Sequence, residues 1–428
     1  MENHFRNIKK IHFIGIGGIG VSALARMMLL EKKKVSSSDI TPSLVTERME
    51  RLGAKVHIGH KEKNLPKEVD IVVYSPAVQG SNPELMAARA RGVPTYSYPE
   101  ALGLISKGKY TIAVSGTHGK TTTTAMIAEI LIDAKKSPTV VIGSFLKKEK
   151  DNFVAGKSDV FVVEACEYRR SFLNLSPKIL VITNIDADHL DYYGNLAGVQ
   201  KGFAEMVAKV PKNGFIVCDP GNTKVKPAIE KTKARIIDYT KEKLVVTLPV
   251  SGEHNRENAR AALAVARLAS VDTKKAGESL AHFHGTWRRM EYKGKTRRGV
   301  IVYDDYGHHP TEVRRTLQGF RERHKKDRII VVFQPHLYSR TKLLLKDFAK
   351  GFGAVDEAVI ADIYAAREVD DGTIHARDLA AKIGKNARYI GGSGAISAYL
   401  EKHLKKGNIL ITMGAGDVHK VGDGLLRR

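Results

Sequence analysis

A chain of 428 residues with 43% apolar and 27% charged side chains has the length for about two to four domains with buried cores, which excludes a disordered class. No apolar run approaches the length of a membrane span, and the N-terminal apolar stretch is short and glycine-filled, so no membrane insertion, no secretion signal and a cytoplasmic location are expected. Seventy basic residues against 46 acidic ones leave a charge of +24, yet the basic groups are short, scattered and not interleaved with aromatics, which argues for anionic, phosphorylated substrates and against nucleic acid.

The first predicted element is an apolar strand in 11–20 that runs into Gly15-x-Gly17-x-x-Gly20. A helix over 21–30 and a short strand ending at Ser38-Asp39 follow, the aspartate 19 residues beyond Gly20. This pattern holds a pyrophosphate at a helix N-terminus, with an acidic residue closing the second strand. Alone it argues for a nicotinamide-dependent dehydrogenase, but the same physics serves any nucleoside diphosphate. Strand-like runs at 70–74 and 93–98 alternate with helix-like ones, and a first α/β domain is expected to end near Ser106.

Next comes Val114-Ser-Gly-Thr-His-Gly-Lys-Thr-Thr-Thr-Thr124, between a strand at 110–114 and a helical pattern at 126–131. Strand, glycine turn and helix aim backbone N–H groups at a phosphate, Lys120 reaches the terminal phosphates, and the Thr121 hydroxyl suits Mg²⁺. The spacing departs from the general phosphate-loop pattern, since Val114 stands at its first glycine; Gly116 gives a tighter Gly-x-x-Gly-Lys-Thr. Two further strands, 160–163 and 179–183, end in Glu164-Ala-Cys-Glu167 and in Asn184-Ile-Asp-Ala-Asp-His189-Leu-Asp191. Carboxyl ends of parallel strands are where ligands bind, so Glu164 and His189 are candidate ligands of a divalent cation; the competing reading makes them helix caps. Cys166 and Cys218 share no metal spacing and are expected as buried free thiols. His254, Asn255 and Asn258 open an alanine-rich helix running to 269. Locally this pattern reads as capping, with contact to a nucleobase as the alternative.

After Trp287-Arg288-Arg289-Met290 the pattern returns to apolar strands, each followed by a polar cluster. These are 300–303 before Asp304-Asp-Tyr306-Gly-His308-His309-Pro310, 329–333 before Gln334-Pro-His336-Leu-Tyr-Ser-Arg340, 357–360 before Asp362 to Glu368, and 409–412 before Gly414-Ala-Gly416-Asp417. Four such ends should converge on one rim of a doubly wound sheet. The histidines lack tight metal spacing, so zinc is not expected.

Taken together, these motifs resemble the Mur ligase family of ATP-dependent amide-bond-forming enzymes over essentially the whole chain. The phosphate loop and His254-Asn255-x-x-Asn258 mark the family. Asp304 to Pro310 and Phe-Gln-Pro-His336 resemble its branch that joins L-alanine to UDP-N-acetylmuramate; a runner-up branch adds a recycled peptide to the same sugar. The resemblance implies an α/β fold of three domains: a Rossmann-like domain for the UDP-sugar (1–106), a central, mostly parallel P-loop ATPase-type domain (107–290) and a Rossmann-like domain for the amino acid (291–428).

By that resemblance Gly17, Gly18, Ile19, Gly20, Ser38 and Asp39 hold the UDP-sugar. Gly116, Thr117, His118, Gly119, Lys120, Thr121 and Thr122 hold ATP, with Thr121, Glu164 and His189 linked to Mg²⁺. His254, Asn255 and Asn258 then surround the adenine, and Arg288 and Asp304 approach ATP. Tyr306, His308, His336 and Arg340 lie around L-alanine and the acceptor carboxylate, with His308 a candidate general base. Gly307 replaces a usual alanine, and Leu337 replaces an arginine of some relatives, which shifts the amino-acid carboxylate towards Arg340. Acyl-phosphate chemistry, closure of the domains over the ligands, and a monomer or weak homodimer complete the expectation.

Overall fold

Parallel sheets covered on both faces require strands that are apolar throughout, and the chain supplies such runs in three groups. In the computed structural model, which describes residues 7–366 and 368–427, each group forms one sheet. Arg367, part of the third polar cluster of the C-terminal region, lies outside the described residues.

The first sheet contains β1 (Lys10–Ile14), β2 (Lys34–Asp39), β3 (Lys55–Ile58), β4 (Ile71–Tyr74) and β5 (Thr95–Ser97), in the order β3-β2-β1-β4-β5. All its pairs are parallel. Strand order reverses between β1 and β4, so the crevice for a ligand opens at the end of β1, where the first glycine turn sits. Alternation splits β1 between two cores: Ile11 and Phe13 join one cluster and Ile14 the other.

The second sheet contains β6 (Tyr110–Ser115), β7 (Thr139–Leu146), β8 (Asp151–Val154), β9 (Val160–Glu164), β10 (Ile179–Ile182), β11 (Phe215–Cys218) and β12 (Arg235–Asp238). Their order is β12-β11-β10-β6-β9-β7-β8, parallel except for the β7–β8 hairpin. In the central strand β6, Val114 lies opposite Glu164 of β9 and Val181 of β10. That register brings the turn after β6 level with the polar ends of both neighbours. The helix Lys120–Asp133, which leaves this turn, is buried from Thr121 to Leu131.

The third sheet contains β13 (Glu291–Lys295), β14 (Ile301–Asp305), β15 (Ile329–Phe333), β16 (Glu357–Ala361), β17 (Ala387–Gly391) and β18 (Ile409–Met413), ordered β13-β14-β18-β15-β16-β17. Only β13 is antiparallel, so the ends of β14, β18, β15 and β16 share one rim, as expected. In β15, Ile329, Val331 and Phe333 pack into one core while Ile330 and Val332 pack into the other.

The chain divides into two compact units, 1–247 with 257–283, and 248–256 with 284–428. The first unit carries the first two sheets, joined by the β7–β8 hairpin. Asn152 Nδ2 donates to the Ile19 carbonyl at 2.5 Å, and Asp151 pairs with Arg26 and Arg48. Among the described residues no helix is long and apolar enough to cross a membrane. One expectation is corrected: Cys218 is buried at the end of β11, but Cys166 is exposed. Cys166 lies past the end of β9, in the polar turn.

Candidate active site

The first glycine turn is shaped by close approach. Gly15 lies at φ 83°, and its N–H and that of Ile16 donate to the Ser38 carbonyl at 2.9 and 3.1 Å. Gly17 N–H donates to Asp39 Oδ2 at 2.7 Å. Gly18 is the N-cap of the helix Ile19–Leu30. A Cβ on Gly20 would fall 2.6 Å from the Tyr98 ring, so only glycine lets that helix start against Tyr98. The structure therefore gathers Gly17, Gly18, Ile19, Gly20, Ser38 and Asp39 around one helix N-terminus, and the Ser38 hydroxyl meets His60 Nδ1 at 3.0 Å.

The second turn is tighter. Gly116 (φ 137°) and Gly119 (φ 82°) occupy the left half of backbone space; a Cβ would lie 2.0 Å from Thr183 Oγ1 at the first and 2.5 Å from Asn258 Oδ1 at the second. Asn184 holds the loop from outside, its side chain accepting from His118 N–H at 2.9 Å and its carbonyl from Thr117 N–H at 3.1 Å. Lys120 Nζ donates to the carbonyls of Gly116 and Thr117 at 2.6 and 3.0 Å and to Glu167 Oε1 at 3.0 Å. Burial opposes the charge on Lys120, but the Glu167 carboxylate more than reverses this and raises its pKa, so the ammonium stays charged. Thr121 Oγ1 donates to Glu164 Oε1 at 2.9 Å, while Glu164 Oε2 accepts from Gly143 N–H at 2.8 Å. Thr122 is buried in the first turn of the helix.

A narrow cradle that a Cβ would fill, a charged lysine and a helix N-terminus are what a nucleoside triphosphate requires. The paired Thr121 and Glu164 oxygens are donors of the kind Mg²⁺ takes. His189, at φ 53°, places Nε2 3.7 Å from Glu167 Oε1, with its ring 4.7 Å from that of Tyr168. Sequence reasoning named neither Glu167 nor Asn184 as a site residue. Glu167 is 2% exposed, and its only signal was a second glutamate three positions after Glu164 on a polar strand end.

The helix Glu253–Leu268 carries the next set. Asn255 Nδ2 donates to the Ser251 carbonyl at 2.8 Å, tying the helix start to the segment before it. Asn258 behaves differently: its Oδ1 accepts from Thr123 Oγ1 at 3.1 Å and lies against Gly119, beneath the phosphate loop. Burial, with Arg315 and Arg256 nearby, pushes His254 down to about 4, which keeps its ring neutral near pH 7.

In the second unit Arg288 donates through Nε to Asp304 Oδ2 at 2.6 Å, through Nη1 to the Gly416 carbonyl at 3.0 Å and through Nη2 to that of Gly414 at 2.7 Å. Thr412 Oγ1 donates to Asp304 Oδ1 at 2.6 Å. Arg288 is 4% exposed and Asp304 0%, and these bonds lie within the unit, where they hold the Gly414–Gly416 turn. Tyr306, His308, His336 and Arg340 do come together. Ring centroids lie 5.5 Å apart for Tyr306 and His308 and 5.7 Å apart for His308 and His336, and Arg340 Nη1 is 3.3 Å from His336 Nδ1. His308 Nδ1 lies 3.0 Å from the Tyr306 carbonyl and must donate there, so the neutral ring carries its lone pair on Nε2. Two contributors were not singled out from the sequence: Tyr364, within the Asp362–Glu368 cluster and stacked on His336 at 5.7 Å, and Glu312, which accepts from His308 N–H at 3.0 Å.

Three mostly parallel sheets with polar turns on their rims, the central one bearing a Gly-x-x-Gly-Lys-Thr loop, define a multidomain α/β protein built around a phosphate-binding loop. The family models agree segment by segment: Mur ligase family, catalytic domain, over 10–110; Mur ligase middle domain over 114–245; and Mur ligase, glutamate ligase domain, over 288–416. The chain belongs to the Mur ligase family. It is 41% identical to a UDP-N-acetylmuramate–L-alanine ligase of Clostridium kluyveri, over 99% of both chains. It is 42% identical to one of Caldanaerobacter subterraneus subsp. tengcongensis, over 100% of this chain and 99% of that one. A crystal structure of a UDP-N-acetylmuramate-alanine ligase from Thermotoga maritima superposes with a TM-score of 0.82 at 29% identity, covering 98% of each chain. A murein peptide ligase from Psychrobacter arcticus gives 0.73 at 25% identity, covering 97% of this chain and 98% of that one.

Proposed function

We propose that the protein joins L-alanine to the lactyl carboxylate of UDP-N-acetylmuramate, driven by ATP, to make a peptidoglycan precursor in the cytoplasm. The observation that carries this reading is the 41% identity, over the full length, to relatives bearing that activity in their name. The peptide-adding alternative is less favoured, since its structural neighbour superposes at 0.73 against 0.82. We assign 1–106 to the UDP-sugar, 107–290 to ATP and 291–428 to the amino acid.

A carboxylate is a poor acyl donor. In the proposed first step a carboxylate oxygen forms a bond to the γ-phosphorus and the bond to the ADP oxygen breaks. In the second, the alanine amine forms the C–N bond, loses a proton, and phosphate departs. Gly17, Gly18, Ile19 and Gly20 supply backbone donors to the sugar's diphosphate, with Ser38 and Asp39 closing that site. Gly116 to Thr122 enclose the triphosphate, and Lys120 exchanges its carbonyl and Glu167 contacts for phosphate oxygens, lowering the charge repulsion of phosphoryl transfer. Thr121, Glu164 and His189 would hold Mg²⁺, which when bound neutralises phosphate charge. His254, Asn255 and Asn258 are assigned to the adenine side, Asn258 also propping the loop. Arg288 and Asp304 act by shaping their rim. Tyr306, His336 and Arg340 orient L-alanine, Arg340 at its carboxylate, while Nε2 of His308 accepts the amine proton.

Phosphate release from ATP and Mg²⁺ tests the reading directly. Release should require both UDP-N-acetylmuramate and L-alanine, with the amide product seen by mass spectrometry. Turnover only with a peptide acceptor moves the protein to the other branch, and no turnover with either acceptor overturns the proposal.

A further inference from the structure

Two successive non-glycine residues, Arg169 (φ 49°, ψ 30°) and Arg170 (φ 58°, ψ 24°), sit in the left-handed region directly after the Glu164–Glu167 strand end. Side-chain-bearing residues avoid this region, and adjacent pairs persist only where the surroundings hold them. The surroundings here do so. Arg170 N–H donates to the Glu167 carbonyl at 2.8 Å, and Phe172 N–H donates to that of Cys166 at 2.9 Å. Tyr193 hydroxyl donates to the Glu167 carbonyl at 2.5 Å, Arg170 pairs with Glu205 at 2.6 Å, and Phe172 is buried edge-on to Phe203.

The strained turn has a consequence for side chains. It lays Tyr168 on His189, ring centroids 4.7 Å apart, and sets the Arg169 guanidinium 5.6 Å from the Tyr168 ring. That is within the range of a cation–π contact, which orients a guanidinium without neutralising it. Arg169 itself is exposed. Glu164 and Glu167 belong to the same strand end, Asp188 lies 3.9 Å from His189 Nε2, and the Lys120 ammonium is already paired with Glu167 at 2.9 Å. An anionic acceptor entering here meets carboxylates first and needs a cation to hold it. A guanidinium matches a carboxylate with two parallel N–H donors.

We propose that Arg169, propped on Tyr168 by the left-handed turn, is a substrate-binding residue that receives the carboxylate of the UDP-sugar before phosphoryl transfer. This rests on the ligase reading above and adds to it the residue that positions the acceptor. A chain selected for stability alone would have glycine at 169, so the proposal predicts that stability and binding move in opposite directions.

The test compares the full-length wild type with Arg169→Gly, Arg169→Lys and Arg170→Gly. Calorimetric binding of UDP-N-acetylmuramate is measured without ATP, KM is measured for each substrate, and Tm is recorded. Glycine at 169 should hold Tm or raise it by about 1–3 °C as strain is released. It should also weaken UDP-sugar binding and raise its KM about tenfold or more, the loss of one charged contact, with KM for ATP within about twofold. Lysine at 169 should recover part of the binding, and Arg170→Gly, which keeps the Arg169 guanidinium but removes the Glu205 ion pair that holds the turn, should weaken it less than Arg169→Gly does. Unaltered UDP-sugar binding in Arg169→Gly overturns the proposal, as does an equal rise in both KM values, which would mark a general distortion. If the wild type binds the UDP-sugar but does not turn over, the ligase reading fails while the binding comparison still decides Arg169. If the wild type does not bind that sugar, both fall.

Discussion

The two glycine turns start from the same local plan, an apolar parallel strand, a glycine bend and a helix beginning at the bend. They diverge in what surrounds the bend. After β1 the groups facing Gly17 are the side chains of Asp39 and Ser43, and no lysine opens the helix. After β6 the helix opens with Lys120 and Thr121, matched by Glu167 and Glu164 from the end of β9. The first is a cradle without a cation, closed by the Asp39 carboxylate, that can hold a diphosphate through backbone donors; the second adds the Lys120 positive charge and an oxygen pair suited to a cation. Binding and reactivity are thus separated by the Lys120 and Thr121 that open the second helix and by the Glu167 and Glu164 partners at the end of β9.

The sharpest way to break the comparison is Lys120→Ala. It should lower kcat by about a thousandfold or more while leaving the KM for UDP-N-acetylmuramate unchanged, as read by steady-state phosphate release. A rise in the UDP-sugar KM instead would mean that the two turns are not functionally distinct.

A paired substitution comes next in size. Gly119→Ala puts a Cβ 2.5 Å from Asn258 Oδ1 at a φ of 82°, and should raise the KM for ATP about tenfold or more. Adding Asn258→Ala should recover part of that by opening space. Gly20→Ala, facing the Tyr98 ring at 2.6 Å, should raise the KM for the UDP-sugar and leave that for ATP alone. Crossed effects would show that the two cradles are coupled.

The smallest effect concerns stability. The helix after β6 buries Glu129, whose carboxyl is pushed up to about 7 by burial; Lys148, 3.5 Å away, offsets only part of this. Because the native state holds the proton more tightly than the unfolded chain, stability is full below the ordinary value of 4.5 and is lost as pH rises through about 7. Glu129→Gln should therefore raise stability at pH 8 by on the order of 1–3 kcal/mol, seen as a higher Tm, and change it little near pH 4. Equal Tm differences at both pH values would contradict this.

Much of the candidate site was legible because its carriers are local. A strand, a bend and a helix start lie within a dozen residues, and an apolar run ending in polar residues identifies both a buried parallel strand and its rim. Glu164, His189, His308 and His336 were found that way. Strands with partly exposed, polar sequences were not found: β3, β12, β13 and β17 lie at or next to sheet edges, where one side need not be apolar. Cys166 was misplaced for a related reason, since an apolar neighbourhood in sequence does not reveal that the strand has already ended.

By itself, then, the sequence determined the three α/β regions, the two phosphate-type turns and the polar rims, because hydrophobic period, glycine and charge act over a few residues. Only the tertiary structure decided which distant side chains complete each site. Glu167 meets Lys120 across 47 positions, Asn258 supports Thr123 across 135, and Arg288 ties down Gly416 across 128. Those partnerships depend on strand order and register, which bring remote segments to the same rim and leave no periodic trace in the chain.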